Sequence, residues 1–399
     1  MINIKMYPAE NGDSFLISFG KENRKHILID CGYAETYHKY LKKDLLEIKE
    51  KGEKINLFIV THIDEDHILG AIEFLEDNNN SRFIEVEEIW YNCYRHLQFE
   101  KKQGVLSEKE KRILRREIDL GESYVKRESI GGISKSEISV KQGSTLGALI
   151  LSGGYKWNDS FEGKAVSRDN LEKINFGDIN ITILSPNEEK LEKLKEKWLK
   201  ELMGKKWNFN ITEDNLFDDA FEFMMLMQKE LQIEKTEVSL KEKNITDSIE
   251  KLIKEKINLD NSSTNGSSIA ICIGYQKRNL LFLGDGHPDI LESSIYNLGI
   301  EKFDSIKVPH HGSKKNMTLD LSRVLKSDKF LISTNGKNHS HPDLETIAKL
   351  IYMHKDMKNF YFNYETEASK WICVEEMKKR FNLEVFIGNG NSPINIVID

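Results

Sequence analysis

The stretch Thr61-His62-Ile63-Asp64-Glu65-Asp66-His67 places four groups that can bind a metal ion within six residues. It follows the apolar run Leu57-Phe58-Ile59-Val60, which is typical of a buried strand, and it precedes Ile68-Leu69-Gly70-Ala71-Ile72, which is typical of a helix start. The four groups therefore lie at a strand-to-helix turn, where their side chains can converge. Imidazole nitrogens and carboxylate oxygens together suit zinc, iron or manganese. A charged turn that only caps the helix is the alternative, but two histidines flanking two aspartates favour a metal site.

Length and charge limit the class of protein. The chain has 399 residues, enough for one large domain or two of moderate size, and 31% of the residues are charged. The net charge is −7, so the overall field of the protein does not attract a polyanion. A nucleic-acid substrate would have to be held by local basic groups or by bound cations.

The cysteines and the hydropathy pattern indicate a cytoplasmic protein. The four cysteines lie far apart and form no CxxC pair, which is typical of reduced, buried thiols; they are Cys31, Cys93, Cys272 and Cys373. The N-terminal residues alternate like a strand and lack the apolar core of a signal peptide. No run approaches the roughly 20 apolar residues that cross a bilayer, so we expect no membrane association.

Three later strands also deliver His or Asp side chains at their ends. The strand 279–283 leads to Asp285, which could bridge two cations or could instead cap the helix that begins near Pro288. The strand 303–309 ends in His310-His311-Gly312-Ser313. The strand 329–334 leads into a loop that contains His339 and His341. With the first cluster, four strand ends carry such groups, which chance placement does not readily give.

Two segments have the composition of helical insertions. Residues 187–260 change to Lys, Glu, Leu and Met with amphipathic helical spacing, and residues 99–129 show similar spacing on a smaller scale. The patch Met224-Met225-Leu226-Met227 could contact a partner or a second subunit, or could pack on the insertion's own core. His96 could be a further ligand, although a lone histidine is more often a core or surface residue.

Taken together, the motifs resemble the metallo-β-lactamase fold family, and within it the branch of the hydrolase domain of the DNA-uptake protein ComEC and its free-standing relatives. They occur in the family's order and are Asn11-Gly12-Asp13-Ser14, Asp30-Cys31-Gly32, the 61–67 cluster, Leu283-Gly284-Asp285, Pro309-His310-His311-Gly312-Ser313 and His341-Pro342. The resemblance implies an α+β fold, a four-layer αββα sandwich formed by one domain over 1–399, with helical insertions at 187–260 and 99–129.

The resemblance also implies a role for each site residue. His62 and Asp64 would bind one metal, and Asp66 and His67 the other. Asp285 would bridge the two metals, His311 rather than His310 would be a ligand of the second metal, and His341 would face the substrate. One feature departs from the family pattern: its additional histidine has no equivalent, since residues 97–284 contain no histidine and His96 lies too early. One metal is therefore expected to be held weakly or completed by water.

The predicted function is a metal-dependent hydrolase, a phosphodiesterase or nuclease that uses a metal-bound hydroxide. Two divalent metal ions, Zn or Mn, would lower the pKa of a bound water to roughly 7. Asp64 or Asp66 could accept a proton from that water, while His310 or His341 could steady or protonate the leaving group. Three lysines flank the His-His turn and could contact phosphates or could be solvated; they are Lys307, Lys314 and Lys315.

Two alternatives stay open from the sequence. The substrate could be a small phosphoester, an ester or a lactam instead of a nucleic acid. The chain could also be a partner-regulated component of a larger assembly, for example in defence, with the 187–260 segment binding the partner.

Overall fold

The computed structural model describes residues 1–97, 106–130, 145–204, 215–226 and 245–399. The strands are β1 Ile2–Met6, β2 Ser14–Phe19, β3 Lys25–Cys31, β4 Ile55–Ile59, β5 Ile89–Trp90, β6 Lys173–Phe176, β7 Ile179–Ser185, β8 Ala270–Tyr275, β9 Arg278–Phe282, β10 Ser305–Lys307, β11 Lys329–Ile332, β12 Lys358–Phe362, β13 Leu383–Ile387 and β14 Ile394–Ile398. The α-helices are α1 Ala34–Thr36, α2 Lys42–Glu50, α3 Glu65–Ser81, α4 Glu108–Ile130, α5 Leu146–Gly153, α6 Glu188–Gly204, α7 Asn215–Leu226, α8 Ile245–Lys254, α9 Ser263–Gly266, α10 Pro288–Asn297, α11 Leu319–Val324, α12 Leu344–Met353, α13 Glu367–Ile372 and α14 Glu375–Phe381. Shorter 3-10 or π-helical turns are Tyr37–Leu41, Tyr94–Leu97, Asp159–Phe161, Pro309–Gly312 and Lys314–Asn316.

The strands form two mixed sheets. The first sheet has six strands in the order β14-β1-β2-β3-β4-β5, and the second has eight in the order β13-β12-β11-β10-β9-β8-β7-β6. In the first sheet β3, β4 and β5 run parallel, and in the second β9 to β13 run parallel. The carboxyl ends of these parallel strands are where the sequence places its His and Asp groups.

Three hydrophobic clusters separate four layers. One cluster joins inward-facing residues of both sheets, for example Ile4 and Ile17 of the first and Ile181 and Ile271 of the second. A second cluster lies between the first sheet and helices that include α2 and α3, and a third lies between the second sheet and helices that include α10 and α12. Alternating apolar positions in the strands and apolar helix faces account for this layering. The αββα sandwich predicted from the sequence is confirmed.

The predicted 187–260 insertion lies wholly between β7 and β8, which are themselves adjacent antiparallel strands. Its helices α6, α7 and α8 contact both outer layers, with α7 packed against α4 and α5 and α8 packed against α12. Met225 is buried in the core under the first sheet, whereas the Met224 side chain and Met227 lie outside the described residues, so docking by this patch stays a prediction. The first residues of the predicted 99–129 insertion, through 105, also lie outside them.

The state of the cysteines agrees with the expectation from the sequence. Cys31, Cys93 and Cys272 are buried, and all four cysteines are free thiols. Within the described ranges, no helix combines the length and the apolar character that a bilayer crossing needs.

Candidate metal centre

The first half of the site forms at the end of β4. The chain leaves this strand through Thr61 and His62, and α3 begins at Glu65 after Asp64, so that Asp66 and His67 lie in its first turn. Gly12 allows the preceding turn to approach this helix closely, since a Cβ at residue 12 would lie 1.9 Å from the Asp66 carbonyl oxygen. The backbone N–H of Asp13 donates to that same oxygen at 3.2 Å. The turn therefore holds the first turn of α3 in place.

The second half comes from the ends of β9 and β10. Asp285 follows β9 through Gly284, whose φ is +50°, and the carbonyl of Gly284 accepts a hydrogen bond from the His310 backbone N–H at 2.9 Å. His310 and His311 both have left-handed backbones, with φ of +45° and +52°. Residues other than glycine adopt this conformation at an energetic cost, which is typical of functional sites. The turn directs both imidazoles towards Asp285.

Four imidazoles surround one carboxylate oxygen. The distances from Asp285 Oδ2 to the Nε2 atoms are 3.9 Å for His62, 3.7 Å for His67, 3.6 Å for His310 and 3.4 Å for His311. Two ligand atoms on one tetrahedral zinc are separated by about 3.3 Å, given bonds of about 2.0–2.1 Å. These separations are close to those of ligands on a shared cation.

Two further carboxylates complete the cluster. Asp64 Oδ2 lies 3.4 Å from His62 Nε2. The two oxygens of Asp66 lie 3.8 Å from His67 Nε2 and 3.6 Å from His311 Nε2. The structure thus brings together all six residues that the sequence predicts as metal ligands, grouped as His62 with Asp64 and His67 with Asp66 around Asp285. Their roles as ligands remain a prediction.

The opposite ring nitrogens of three imidazoles are anchored. Nδ1 of His67 lies 2.8 Å from Asp30 Oδ2, and Nδ1 of His311 lies 2.9 Å from the carbonyl oxygen of Ser333. Nδ1 of His62 lies 3.0 Å from the Thr61 hydroxyl. An Nδ1 proton donated outwards leaves the Nε2 lone pair pointing into the cluster, as in metal-binding histidines generally.

The cluster contains buried polar atoms that a cation would satisfy. Nε2 of His62, His67 and His311 and Oδ1 of Asp285 are buried and have no hydrogen-bond partner among the described residues. Buried polar atoms are normally paired, because an unpaired one keeps its desolvation cost. Lone pairs of nitrogen and carboxylate oxygen that face one another fit divalent cations.

The electrostatics agree with this interpretation. Burial acts to lower the pKa of His67, but the carboxylates of Asp30, Asp66 and Asp285 outweigh it and raise the pKa to about 10. At His310 burial also acts to lower the pKa, but the carboxylates of Asp285 and Asp260 outweigh it and raise the pKa to about 9. Burial favours the neutral acid at Asp285, yet the neighbouring imidazoles hold its pKa well below the usual range. Without metals, the cluster therefore retains positive charge in the form of protons.

The sequence analysis assigned no role to the Asp13 or Asp30 side chains, and it did not predict that Lys307 is buried. Asp13 lies in a compact group with His67, Asp285 and His311, whose ligand atoms are all within 4.8 Å of one another. Its carboxylate forms a buried ion pair with Lys307, which also donates to the Gly284 carbonyl oxygen at 3.1 Å. The Lys307 ammonium group therefore balances the charge of Asp13. The other carboxylate oxygen of Asp13, Oδ1, lies 3.5 Å from His311 Nδ1. Both Asp13 and Asp30 lie in motifs that carried the family resemblance, and this was the available signal.

The lysines near the His-His turn differ from expectation. Lys307 was expected to contact phosphate or to be solvated, and both interpretations are wrong because it is buried in the ion pair with Asp13. Lys314 forms ion pairs with Glu345 at 2.9 Å and Glu255 at 3.4 Å. Burial and pairing both reduce the capacity of these two ammonium groups to attract a substrate.

Of the further histidines considered in the sequence analysis, His341 lies beside the cluster. The His341 ring centroid is 5.6 Å from that of His310, and its Nδ1 is 3.2 Å from Asp343 Oδ2. His339 is exposed, with its ring 5.8 Å from His341. His96 is buried in another region, where it packs on Trp157 and its Nδ1 accepts from the Cys93 N–H at 3.1 Å; the suggestion that it is a ligand is wrong.

Comparison with known proteins adds the following. Igni18, a novel metallo hydrolase from the hyperthermophilic archaeon Ignicoccus hospitalis, is similar over 100% of both chains, with 9% identity and a TM-score of 0.38. CmlA, a diiron beta-hydroxylase from Streptomyces venezuelae, is similar over 99% of this chain and 54% of that one, with 10% identity and a TM-score of 0.38. Similarity at this level carries no argument about function. A search of curated protein sequences gave no match.

The sequence itself gives a family match. Residues 7–137 match the Metallo-beta-lactamase superfamily, a range that includes the 61–67 cluster. The match and the four-layer fold agree with each other and with the convergence of His and Asp side chains at the sheet edges. Over residues 7–137 the chain is therefore similar to the Metallo-beta-lactamase superfamily, a similarity that points to a metal-dependent hydrolase.

Proposed function

We propose that this protein is a metal-dependent phosphodiesterase that acts on nucleic acid. The observation that carries the proposal is the convergence of four imidazole Nε2 atoms on Asp285 Oδ2, flanked by Asp64 and Asp66. This donor set suits two divalent cations, Zn or Mn, and carboxylate-rich sites favour harder ions such as Mn. The choice of nucleic acid rests on the resemblance of the motifs to the ComEC-like branch.

When bound, two divalent cations would supply Lewis acidity and a water of lowered pKa. The protein groups then have separate tasks. Asp64 is about one-third exposed and Asp66 about one-sixth exposed, so both can meet a water and accept its proton. His341 lies at the rim of the cluster, where it can donate a proton to the leaving oxygen. Overall, one P–O bond breaks, the phosphate gains the oxygen of water, and the released alcohol carries a proton.

A second candidate is hydrolysis of a small phosphoester, and a cavity of about 240 Å³ favours it. The cavity lies beside the cluster, since its wall includes Asp260, whose Oδ2 is 3.5 Å from His310 Nδ1. Lys190 and Lys193 also line it. This volume lies just below the roughly 300–1,000 Å³ of small-molecule pockets, so a compact phosphoester would be the fitting occupant. The net charge of −7 is a further argument against a polyanionic substrate.

The test compares substrates with one preparation of metal-loaded protein. Metal content is first measured by elemental analysis after incubation with Zn or Mn. Single-stranded DNA, duplex DNA, RNA, bis(p-nitrophenyl) phosphate, nucleotides, esters and lactams are then screened at equal enzyme concentration. Asp285→Asn, prepared identically, is the control that assigns any turnover to this site.

The outcomes separate the candidates. Cleavage of oligonucleotides that is lost in the Asp285→Asn variant supports the first proposal. Turnover of small phosphoesters alone supports the second. Cleavage that persists in the variant comes from a contaminant, and absence of bound metal in the parent protein contradicts both.

A protein partner is a separate proposal for the 187–260 segment, in which helices α6 to α8 join two adjacent strands. Here the segment would bind a protein that regulates the site. Light scattering and affinity purification of the full chain test this. The control is a variant in which residues 228–243 are replaced by a short Gly-Ser linker, so that the core residues of α7 are retained. Equal recovery of a defined partner by both proteins contradicts the proposal.

A further inference from the structure

We propose that His310 is a ligand of the metal pair and takes the coordination position that the absent additional histidine leaves open. This inference rests on the metal centre of the proposed function and changes one role within it. The sequence interpretation made His310 a substrate contact and made His311 the only ligand from this turn. Four observations support the new assignment.

The first observation is position. His310 Nε2 lies 3.6 Å from Asp285 Oδ2, within the 3.4 to 3.9 Å range of the three other imidazoles. The left-handed backbone at His310 makes this possible, because it turns two successive side chains to the same carboxylate. A side chain that served only the substrate would not need to approach the bridging carboxylate so closely.

The second observation is the tautomer, which Asn316 determines. Nδ2 of the Asn316 amide has three acceptors as neighbours, the Asp260 carboxylate at 3.0 Å and the carbonyl oxygens of Asp285 and Gly286 at 3.1 and 3.3 Å. The nitrogen must therefore face them, and the amide oxygen must face His310 Nδ1, which is 2.8 Å away.

Because Asn316 Oδ1 can only accept, His310 Nδ1 must carry a proton. The amide nitrogen of Asn265 also approaches Nδ1, but at 3.5 Å, and it already donates to Asp260 at 2.8 Å. In the neutral imidazole the lone pair is then on Nε2 and points to Asp285. A metal cation between these two acceptors, which are 3.6 Å apart, would satisfy both, as a second proton on Nε2 does in the metal-free cluster.

The third observation is a carboxylate behind the imidazole. Asp260 Oδ2 lies 3.5 Å from His310 Nδ1, and Asn265 and Asn316 fix its orientation by donating to it. Metal-binding histidines commonly have such a carboxylate or carbonyl partner, which increases the basicity of the ligand. His67 has the equivalent partner in Asp30.

The fourth observation is the ligand count. With the ligands that the resemblance implies, the second metal would have four protein ligands, Asp66, His67, His311 and Asp285, whereas the first would have three, His62, Asp64 and Asp285. His310 would give the first metal its fourth protein ligand. The site therefore needs no histidine from residues 97–284.

The experiment measures metal stoichiometry and not turnover. The full-length protein and the His310→Ala variant are stripped with chelator, reloaded with Zn or Co, dialysed and analysed for metal per chain. The parent is expected to bind two equivalents and the variant one, with a change in the visible spectrum of the Co form. Because His310 is 19% exposed, added imidazole should enter the space and restore the second equivalent.

Two control variants keep the result decisive. His341→Ala removes the neighbouring imidazole and is expected to retain two equivalents. Asn316→Ala leaves His310 in place but removes the acceptor that sets its tautomer, and is expected to weaken one of the two sites by about 10–100-fold. It also serves if His310→Ala does not fold, which circular dichroism would reveal.

The results also separate this inference from the proposed function. If the parent binds no metal, the proposed function fails. If the parent binds two equivalents and both the His310→Ala and Asn316→Ala variants bind two with unchanged affinity, only the role of His310 is wrong, and it is a substrate contact.

Discussion

The two halves of the metal centre are assembled in different ways. On the first sheet, four side chains that face the centre come from six consecutive residues, His62 to His67, at one strand-to-helix turn. On the second sheet, Asp285 and the pair His310-His311 come from two strand ends and need a left-handed turn. The first half is thus determined by local structure and the second by topology.

This difference gives Asp285 a special position. Its Oδ2 lies within 3.9 Å of four imidazoles, two from each half, whereas Asp66 reaches one imidazole of the second half and Asp64 is paired with His62 of the first. Loss of Asp64 would remove one predicted ligand of the first half. Loss of Asp285 would remove the carboxylate on which the imidazoles of both halves converge.

The largest effect is therefore expected for Asp285→Asn. Activity should fall by about 10³-fold or more, since even a single transition-state hydrogen-bond donor is worth roughly 10²–10³-fold. Bound metal should fall from two equivalents to one or fewer, because an amide is a poor bridging ligand. Turnover and elemental analysis measure the two effects. Asp64→Asn is the matched variant, and if it lost as much of both as Asp285→Asn, the halves would not be coupled through Asp285.

The next effect concerns stability. Asp13→Asn leaves Lys307 buried with its charge uncompensated by its closest partner, and we expect a loss of about 3 kcal/mol in the free energy of unfolding. Urea denaturation of the chelator-treated protein measures the loss. The double variant Asp13→Asn/Lys307→Met removes the charge as well and should recover a large part of the stability. A double variant as unstable as the single one would show that the pair contributes through something other than charge.

Local features of the metal centre could be predicted from the sequence, whereas features that depend on the topology of the fold could not. The 57–60 strand and the 61–67 cluster could be recognised because all the information lies in consecutive residues, and Asp285 and His311 could be recognised because apolar strands precede them. The pairing of Asp13 with Lys307 could not, because it joins β10 to the turn before β2, and residues that are 294 positions apart become neighbours only in the folded sandwich.

The role of His310 shows a second limit. Adjacent histidines in a sequence do not reveal which ring nitrogen faces the metals, since this depends on φ at His310 and on the amide orientation of Asn316. Asp260 raises the same difficulty, because the predicted insertion ends at this residue and nothing in its neighbours marks it as a partner of His310. The sequence pattern can identify candidate metal ligands. The residue that hydrogen-bonds to the other ring nitrogen of His310 can be identified only from the three-dimensional structure.

A smaller effect is expected when an outer partner is removed from the first half. Asp30→Asn leaves His67 without the carboxylate at 2.8 Å from its Nδ1, and metal affinity should fall by about 10–100-fold. Isothermal titration of the chelator-treated protein with Zn measures the affinity. Asp44→Asn is the matched control, since Asp44 is also a buried carboxylate, paired with Tyr7 and Lys5 away from the cluster. Equal losses in the two variants would indicate a general effect of buried charge.

The smallest expected effect distinguishes the metal-free cluster from the metal-bound one. Without metals, the raised pKa values of about 10 for His67 and about 9 for His310 mean that the folded protein holds protons that the unfolded chain releases near pH 6.5. This contribution to stability is complete below about pH 6.5 and is lost as the pH rises through 9 to 10. Metal-bound imidazoles are already deprotonated, so the metal-bound protein does not lose stability in this way as the pH rises. Saturating metal should therefore raise Tm more at pH 9 than at pH 7, by about 2–4 °C for each kcal/mol involved. Calorimetry with metal and with chelator at both pH values measures this, and parallel curves would mean that the imidazoles do not exchange protons for metal.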